Sequence, residues 1–496
     1  MGAALREMGA EVTAWRREGK NRWKFWCGIA LALLTLFLFY GYIYNDILET
    51  ARMGIAFWED LFSGRIRYFY DGYVHMNPVA YTKDVRGVYD FPIYLLFAVW
   101  NFPLYLLQTF AGIDVFTSPL ALMWMKTLLL VFVVLTTAAL YRLCRTVSLT
   151  KRVSLGVCLL FVTSNFFMTS IVMMSAYDIV PLFFAILGVR YYLLEEHKKF
   201  VLMFMLAVPL KFFSLLLFLP LLLLRQKNIW KILGNVILVA LPIFVFRILI
   251  PCTGNGAGFR LLDALKGTEL SNLALLYAIT YYVELALGQV YFSVLGFGVL
   301  LAACYFVRLK TREEYCRYGI YVCFVSYAIL FVTCYSHPYW LFILTPFMMM
   351  VIGQNRQYLH INLILETLAT WGMLLAQLFA FPWCFGNALA CGTFWPLLLG
   401  QKAEFAQYNL STILTGAVGE ESVRKLSTGA AGMGSSVFIA CIVMMAVLNF
   451  PVIADRDWPL LRRGERAEGW IMPFRLLAGV AVGLLPVVMY ALYVRG

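Results

Sequence analysis

Apolar runs of about twenty residues recur along this chain, at 25–44, 119–141, 229–250 and 470–493, and each is long enough to cross a hydrocarbon layer of about 30 Å as a helix. A helix apolar on every face has no side to turn to water, so runs like these are not absorbed by a soluble core. In lipid the backbone must satisfy its own hydrogen bonds, which leaves helices or a closed barrel. Uninterrupted apolar runs lack the period-two alternation of barrel strands, so helices follow. Hydrophobic residues make up 62% of the chain and charged ones 14%, well to the apolar side of an ordinary soluble domain. The fold class is therefore read as all-α, that of a polytopic integral membrane protein.

A formal net charge of +13 raises nucleic acid as a partner. The placement of the charge removes that reading. The short breaks 1–24, 142–152, 198–199, 225–231, 308–317, 356 and 456–466 carry 24 of the 40 Lys and Arg residues. The connections 46–118, 251–285 and 382–431 and the C-terminus carry 11. By the bias of basic residues toward the cytoplasm, the first set is inside. Two segments decide the count. If 91–111 is a crossing, the bias inverts to 12 inside against 23 outside, and if 200–224 is a single span it falls to 18 against 17, as it does with both changes together. With 91–111 on the outer face and 200–224 as a hairpin, the chain has thirteen helices, its N-terminus inside and its C-terminus outside. The first apolar run is longer than a signal peptide's and no small-residue cleavage site follows, so it is read as an uncleaved helix.

The hairpin has a physical consequence. Arms of about twelve residues reach only about 18 Å, which leaves Lys211 below the outer surface, where an unpaired charge costs about 2.5 to 3.5 kcal/mol. Asp178, in MTSIVMMSAYDIVPLFF, is a carboxylate at the tip of another apolar hairpin. A water-filled cavity entering from outside accommodates both.

The longest internal loop, about 454–469, has no room for a nucleotide-binding domain, and the long loops are all outside. Chemistry there lacks ATP and nucleotide sugars, so an energised substrate arrives attached to a lipid. Asp46, just after the first helix, is a candidate general base, or a plain helix-end acid. His337, in CYSHPYWLFILTPF, is one of four histidines, a candidate site residue or a boundary residue held by Pro338. Lys211 either neutralises a phosphate or snorkels. Lys126, in the outer part of its helix, is ambiguous, and Arg190 snorkels at a cytoplasmic end. Arg247, Glu284 and Glu366 are unassigned, a pair formed by either acid staying open. Glu49, Glu59 and Asp60 suit the wet face of an interfacial helix. CTGNGAGF at 252–259 lacks the Lys-Ser/Thr of a phosphate loop, and 409–411 matches a glycosylation sequon. Cys384 and Cys391 invite a disulfide reading whose pairing the sequence leaves open. No Cys/His cluster has zinc spacing; no cofactor is expected, and a metal requirement stays open.

An Asp after helix 1, a long outer loop closing on an aromatic-Pro step, a hairpin with an Asp at its tip, LAVPLKFFSLLLFLPLLLL and SHPYWLFILTPF follow one another in this order. This order resembles the GT-C superfamily of membrane glycosyltransferases, particularly the bacterial polyprenyl-phosphate-sugar-dependent mannosyltransferase-like branch, over roughly residues 25–350. Asp90-Phe91-Pro92 departs from the family's Tyr-Pro-Pro, and Ser175-Ala176-Tyr177-Asp178 lacks a preceding Gly-Gln. The resemblance implies a catalytic module over 1–350 followed by transmembrane helices over 351–496. It implies Asp46 as base, Asp178 lining the cavity, Lys211 on the donor phosphate and His337 at a helix tip; Tyr177 and Lys126 are further substrate-binding candidates beside these. The expected function is inverting transfer of a sugar from a polyprenyl-phosphate donor to a hydroxyl of a glycan, glycolipid or protein acceptor, outside the cell membrane of a bacterium. The alternative is a transporter or flippase for a lipid or small molecule, against which no inverted repeat is visible; a scaffold for envelope enzymes leaves Asp178 and Lys211 unexplained.

Overall fold

The computed structural model describes residues 1–18, 22–76, 83–250, 280–285, 288–334, 336–380, 388–389, 391–395, 398, 415–416, 418–456 and 468–495. The stretch 252–259, the sequon, Cys384 and most of the loops 251–285 and 382–431 lie outside these residues. Helices dominate: α1 (Gly2–Arg17), α2 (Arg22–Gly41), α3 (Asn45–Phe62), α4 (Phe91–Trp100), α5 (Phe102–Ala111), α6 (Pro119–Thr146) and α7 (Lys151–Val162) come first. A short turn, Asn165–Phe167, and a π-helical turn, Met168–Met173, lead to α8 (Ile179–Leu193), α9 (His197–Leu210), α10 (Leu215–Arg225) and α11 (Ile229–Leu249). Then follow α12 (Phe292–Phe306), α13 (Arg312–Thr333), a 3-10 turn Pro338–Leu344, α14 (Thr345–Gln354), α15 (Leu359–Ala380), α16 (Glu420–Leu448) and α17 (Glu468–Arg495). Besides a few short helical turns, there are two antiparallel ribbons: β1 (Val74–Met76) with β2 (Lys83–Val85), in which His75 faces Asp84, and β3 (Tyr282–Leu285) with β4 (Gly288–Tyr291).

Among the described residues seven helices are long and apolar enough to cross a membrane, or nine if each of two bent pairs counts as one span. One bent pair is α4 and α5, turned by 64° at Asn101 and Phe102. Each has ten residues, about 15 Å of helix and too short to cross alone. The segment 200–224 divides at Lys211, whose backbone is extended (φ −159°, ψ 120°). The rings of Phe200 and Phe204 lie 5.0 and 5.2 Å from that of Phe218, so its two arms run side by side. Pro209 and Pro220 weaken each arm as a continuous helix.

Helix α3 forms because Ile47, Leu48, Ala51 and Ile55 recur on one face, and Asp46 in its first turn complements the positive end of the helix dipole. A Cβ at Gly54 would sit 2.8 Å from the backbone of Phe97 and Ala98, so α3 and α4 touch main chain to main chain. Trp58 Nε1 fastens the contact by donating to Ala98 O at 2.8 Å. Glu49, Glu59 and Asp60 are half-buried here, not on a fully wet face. Glu59 accepts from Arg52 at 3.2 Å, and Arg52 Nε also donates to His75 O at 2.9 Å, which holds β1 against α3. Further along, Gly372 of α15 and Gly434 of α16 meet so closely that a Cβ at Gly434 would stand 2.2 Å from Gly372 O, the close helix crossing that small residues permit.

Buried charges resolve in pairs the sequence did not indicate. Arg247 Nη2 donates to Asp90 Oδ1 at 2.9 Å, joining α11 to the residue that precedes α4. Glu366 takes Arg475 instead, through two bonds of 2.8 Å, with Ser164 Oγ donating to Glu366 Oε1 at 3.1 Å. Both members of that pair are fully buried. Of the two acids considered for a pair, Glu366 forms one, with Arg475, while Glu284 is exposed on β3. Burial is the reason: a guanidinium inside a bundle takes the nearest buried carboxylate.

Candidate functional site

Five chain segments converge around Lys211. Asp46 is the second residue of α3. Its Oδ1 accepts a hydrogen bond of 2.8 Å from the Tyr89 hydroxyl. Tyr89 is itself fixed through its backbone: its N–H donates to Tyr94 Oη at 3.0 Å, and its carbonyl accepts from Tyr70 Oη at 2.9 Å. The aromatic run before and after Asp90-Phe91-Pro92 thus sets the direction of one phenol.

Burial raises the Asp46 carboxyl to about 6; the Lys211 charge and the Tyr89 bond pull it down, while Asp178 and Glu49 push it up. Burial and the neighbouring Asp46 hold the Tyr89 phenol well above its ordinary value, so it stays the donor. The outcome is a carboxylate that is mostly ionised at neutral pH yet basic enough to take a proton.

Asp178 is the residue before α8 and is almost wholly buried. It follows a turn in which Ser175 holds φ +53°, a left-handed conformation costly for a residue with a Cβ. Lys211 Nζ approaches Asp178 Oδ1 to 3.1 Å. That approach is an ion pair rather than an aligned hydrogen bond, since no bond of acceptable angle to this oxygen accompanies it. Four rings surround the ammonium: Tyr89 at 5.2 Å, Tyr177 at 5.3 Å, Trp340 at 5.7 Å and Phe213 at 5.9 Å. A desolvated cation over aromatic faces gains up to about 2 kcal/mol per contact. This explains how the extended break between α9 and α10 keeps a largely buried charge.

His337 precedes the 3-10 turn and joins the same wall. Its ring stacks on Tyr339 at 5.3 Å and meets Trp340 edge-on at 4.9 Å. Burial, helped by the Lys211 charge, lowers its imidazole below the ordinary value, so it is neutral at pH 7. Nearby in sequence, Asn45 Oδ1, Ser336 Oγ and Trp340 Nε1 are buried without a hydrogen-bond partner among the described residues. Such atoms are uncommon in a finished core.

Asp46, Tyr177, Asp178, Lys211 and His337 are therefore brought together. Lys126 is not. Its fully buried ammonium donates to Tyr42 O, and to Val172 O at 2.7 Å, and lies over the Phe39 ring at 4.4 Å. It is corrected from a substrate-binding candidate to a brace between the end of α2 and the π-helical turn, because no part of it reaches a surface. Tyr89 and Trp340 escaped sequence reasoning, although both stand beside motifs that drew attention, in YDFP and SHPYW. Cys391 is buried, and the pairing considered for it falls outside the described residues with Cys384. Among the described residues no group of three or more His, Cys, Asp or Glu is placed to hold a metal ion.

The arrangement can therefore take a proton at Asp46, and it can offer a cation at Lys211 to a negative group. Comparison with protein-family models, curated proteins and solved structures finds no match for this chain.

Proposed function

We propose that this protein is a membrane-embedded inverting glycosyltransferase that uses a polyprenyl-phosphate-linked sugar. The observation that carries the reading is the pairing of a basic carboxylate with a caged ammonium: Asp46 bonded to the hydroxyl of Tyr89, and Lys211 5.2 Å from the ring of the same residue. In the proposed step Asp46 takes the proton of an acceptor hydroxyl, the oxygen attacks the anomeric carbon, and the carbon–oxygen bond to phosphate breaks. The lipid phosphate departs with the electron pair, and Lys211 offsets its charge. A phosphate leaving group needs no general acid, which fits a site with one basic carboxylate. Asp178 then holds Lys211 between turnovers, and neutral His337 orients the donor from the Trp340 side. The resemblance of the motifs to GT-C enzymes points the same way. Label from a lipid-linked sugar should appear on the acceptor; if unmodified lipid moves between leaflets instead, the protein is a transporter.

Replacing Lys211 with Met keeps the stem and removes the charge. Single-turnover transfer from a panel of polyprenyl-phosphate sugars should fall about 100-fold, or donor KM rise to match, the size seen for loss of one charge-stabilising group. Wild-type kinetics in a folded Lys211→Met protein removes Lys211 from the mechanism.

The proposed orientation places thirteen crossings in the membrane: the seven long helices, the bent pair 151–173, and the shorter helices α8, α9, α10, α12 and the 339–354 segment, with α4 and α5 on the outer face. Ile113 and Ile229 are both exposed, and each changed to Cys in a background with Cys27, Cys252 and Cys384 changed to Ser reports on one side. An impermeant maleimide should label Ile113→Cys in intact cells and Ile229→Cys only after permeabilisation. The reverse pattern at either position refutes the arrangement.

A further inference from the structure

A cavity of about 1080 Å³ opens at the other end of α8 from Asp178. The fifteen residues of that helix put the two about 22 Å apart, so this cavity is separate from the site above. Its lining comes from α1, the C-terminal ends of α6 and α8 and the first turn of α13, and it includes Arg142, Arg145, Arg190 and Arg312. Two acids also line it, Glu7 and Glu313. Glu7 is already taken by Lys151 at 3.1 Å, which leaves the four guanidiniums in excess.

Two observations go beyond a basic surface. Arg142 and Arg190 line the same cavity, where their like charges repel, and neither has a carboxylate partner within 4 Å among the described residues. In addition, Arg190 Nε and the hydroxyl of the fully buried Tyr141, both on cavity-lining residues, have no hydrogen-bond partner there. Arginines at helix C-termini commonly complement the dipole, which accounts for positive charge at the ends of α6 and α8. It does not account for repelling guanidiniums and orphaned donors around a shared space. A tetrahedral oxyanion accepts from several N–H and O–H donors at once and relieves that repulsion. The volume exceeds what inorganic phosphate alone requires and suits an esterified one.

We propose that this cavity binds a phosphate ester, held by Arg142 and Arg190 with the Tyr141 hydroxyl as a further donor. The same chemistry is carried by an anionic lipid headgroup and by a soluble phosphate ester, and the test separates them. The full chain is placed in phosphatidylcholine nanodiscs, in one arm doped with phosphatidic acid and read by native mass spectrometry for retained lipid. The other arm is titrated with glycerol 3-phosphate and read by calorimetry. Wild-type protein should bind in at least one arm. Arg142→Gln combined with Arg190→Gln should weaken that binding tenfold or more, since each charged hydrogen bond carries about that factor. Tyr141→Phe, which keeps the buried ring, should weaken it severalfold. Binding in the first arm alone identifies a lipid, and binding in the second a soluble ester. No binding by wild type in either arm, or affinity unchanged in the variants, overturns the proposal. If the double arginine variant fails to fold, Tyr141→Phe decides, and unchanged affinity there overturns it equally.

Discussion

Asp46→Asn should slow single-turnover sugar transfer about 10²- to 10⁴-fold, the range for loss of a general base, with little change in donor affinity. Asparagine still accepts a bond from Tyr89 through its carbonyl oxygen, so the 2.8 Å contact and the local packing survive. Only the ability to take a proton is removed. The pH profile supplies a second readout. The base works only when ionised, and burial raises Asp46 to about 6, so the wild-type rate should be low below that pH, climb through it and level off above. The Asn variant should lose this limb and keep a low, flat rate. A near wild-type rate from a folded Asp46→Asn protein ends the assignment and moves the role of base to Asp178.

The largest stability effect is expected at Glu366. Glu366→Leu leaves Arg475 at 0% exposure with Thr163 Oγ1 at 2.7 Å and Leu160 O at 2.9 Å as its remaining hydrogen-bond partners among the described residues. An uncompensated buried charge costs about 3 to 5 kcal/mol. The thermal midpoint of the purified protein should drop sharply, and Glu366→Leu with Arg475→Met should recover most of the loss, because two apolar groups of similar volume need no counter-charge. If the double variant is no more stable than the single one, the pair is not what holds α15 to α17.

How far the sequence discloses these features depends on the distance over which each acts. Helices follow from local apolar patterning, and the break at Lys211 is legible because a cation interrupts leucines between Pro209 and Pro220. The grouping of Asp46, Asp178, Lys211 and His337 is suggested by a shared side of the membrane and by motif order. Partner choice is not local. Arg475 lies 109 residues from Glu366, and Arg247 lies 157 from Asp90; nothing in the flanking residues of either arginine marks the carboxylate it meets. Lys126 misled for a related reason. Its height along α6 is readable, but not its rotation toward the carbonyls of Tyr42 and Val172, and rotation decides whether a lysine faces a cavity or a backbone. The ring cage was hidden because aromatic residues make up 17% of the chain, so four particular rings do not stand out.

The cage around Lys211 also has an order in time. Its walls come from residues 89, 177, 213 and 340, and a ribosome delivers them in that sequence. A nascent chain that has emerged through α10 already contains Asp178, Lys211 and three of the rings, but Trp340 and His337 are still more than a hundred residues away from synthesis. Until they arrive, the ammonium stands open on one side. Completion of the cage is thus a late event in synthesis, and a chain halted between α10 and α13 carries Asp46, Asp178 and Lys211 without the wall that closes around the lysine.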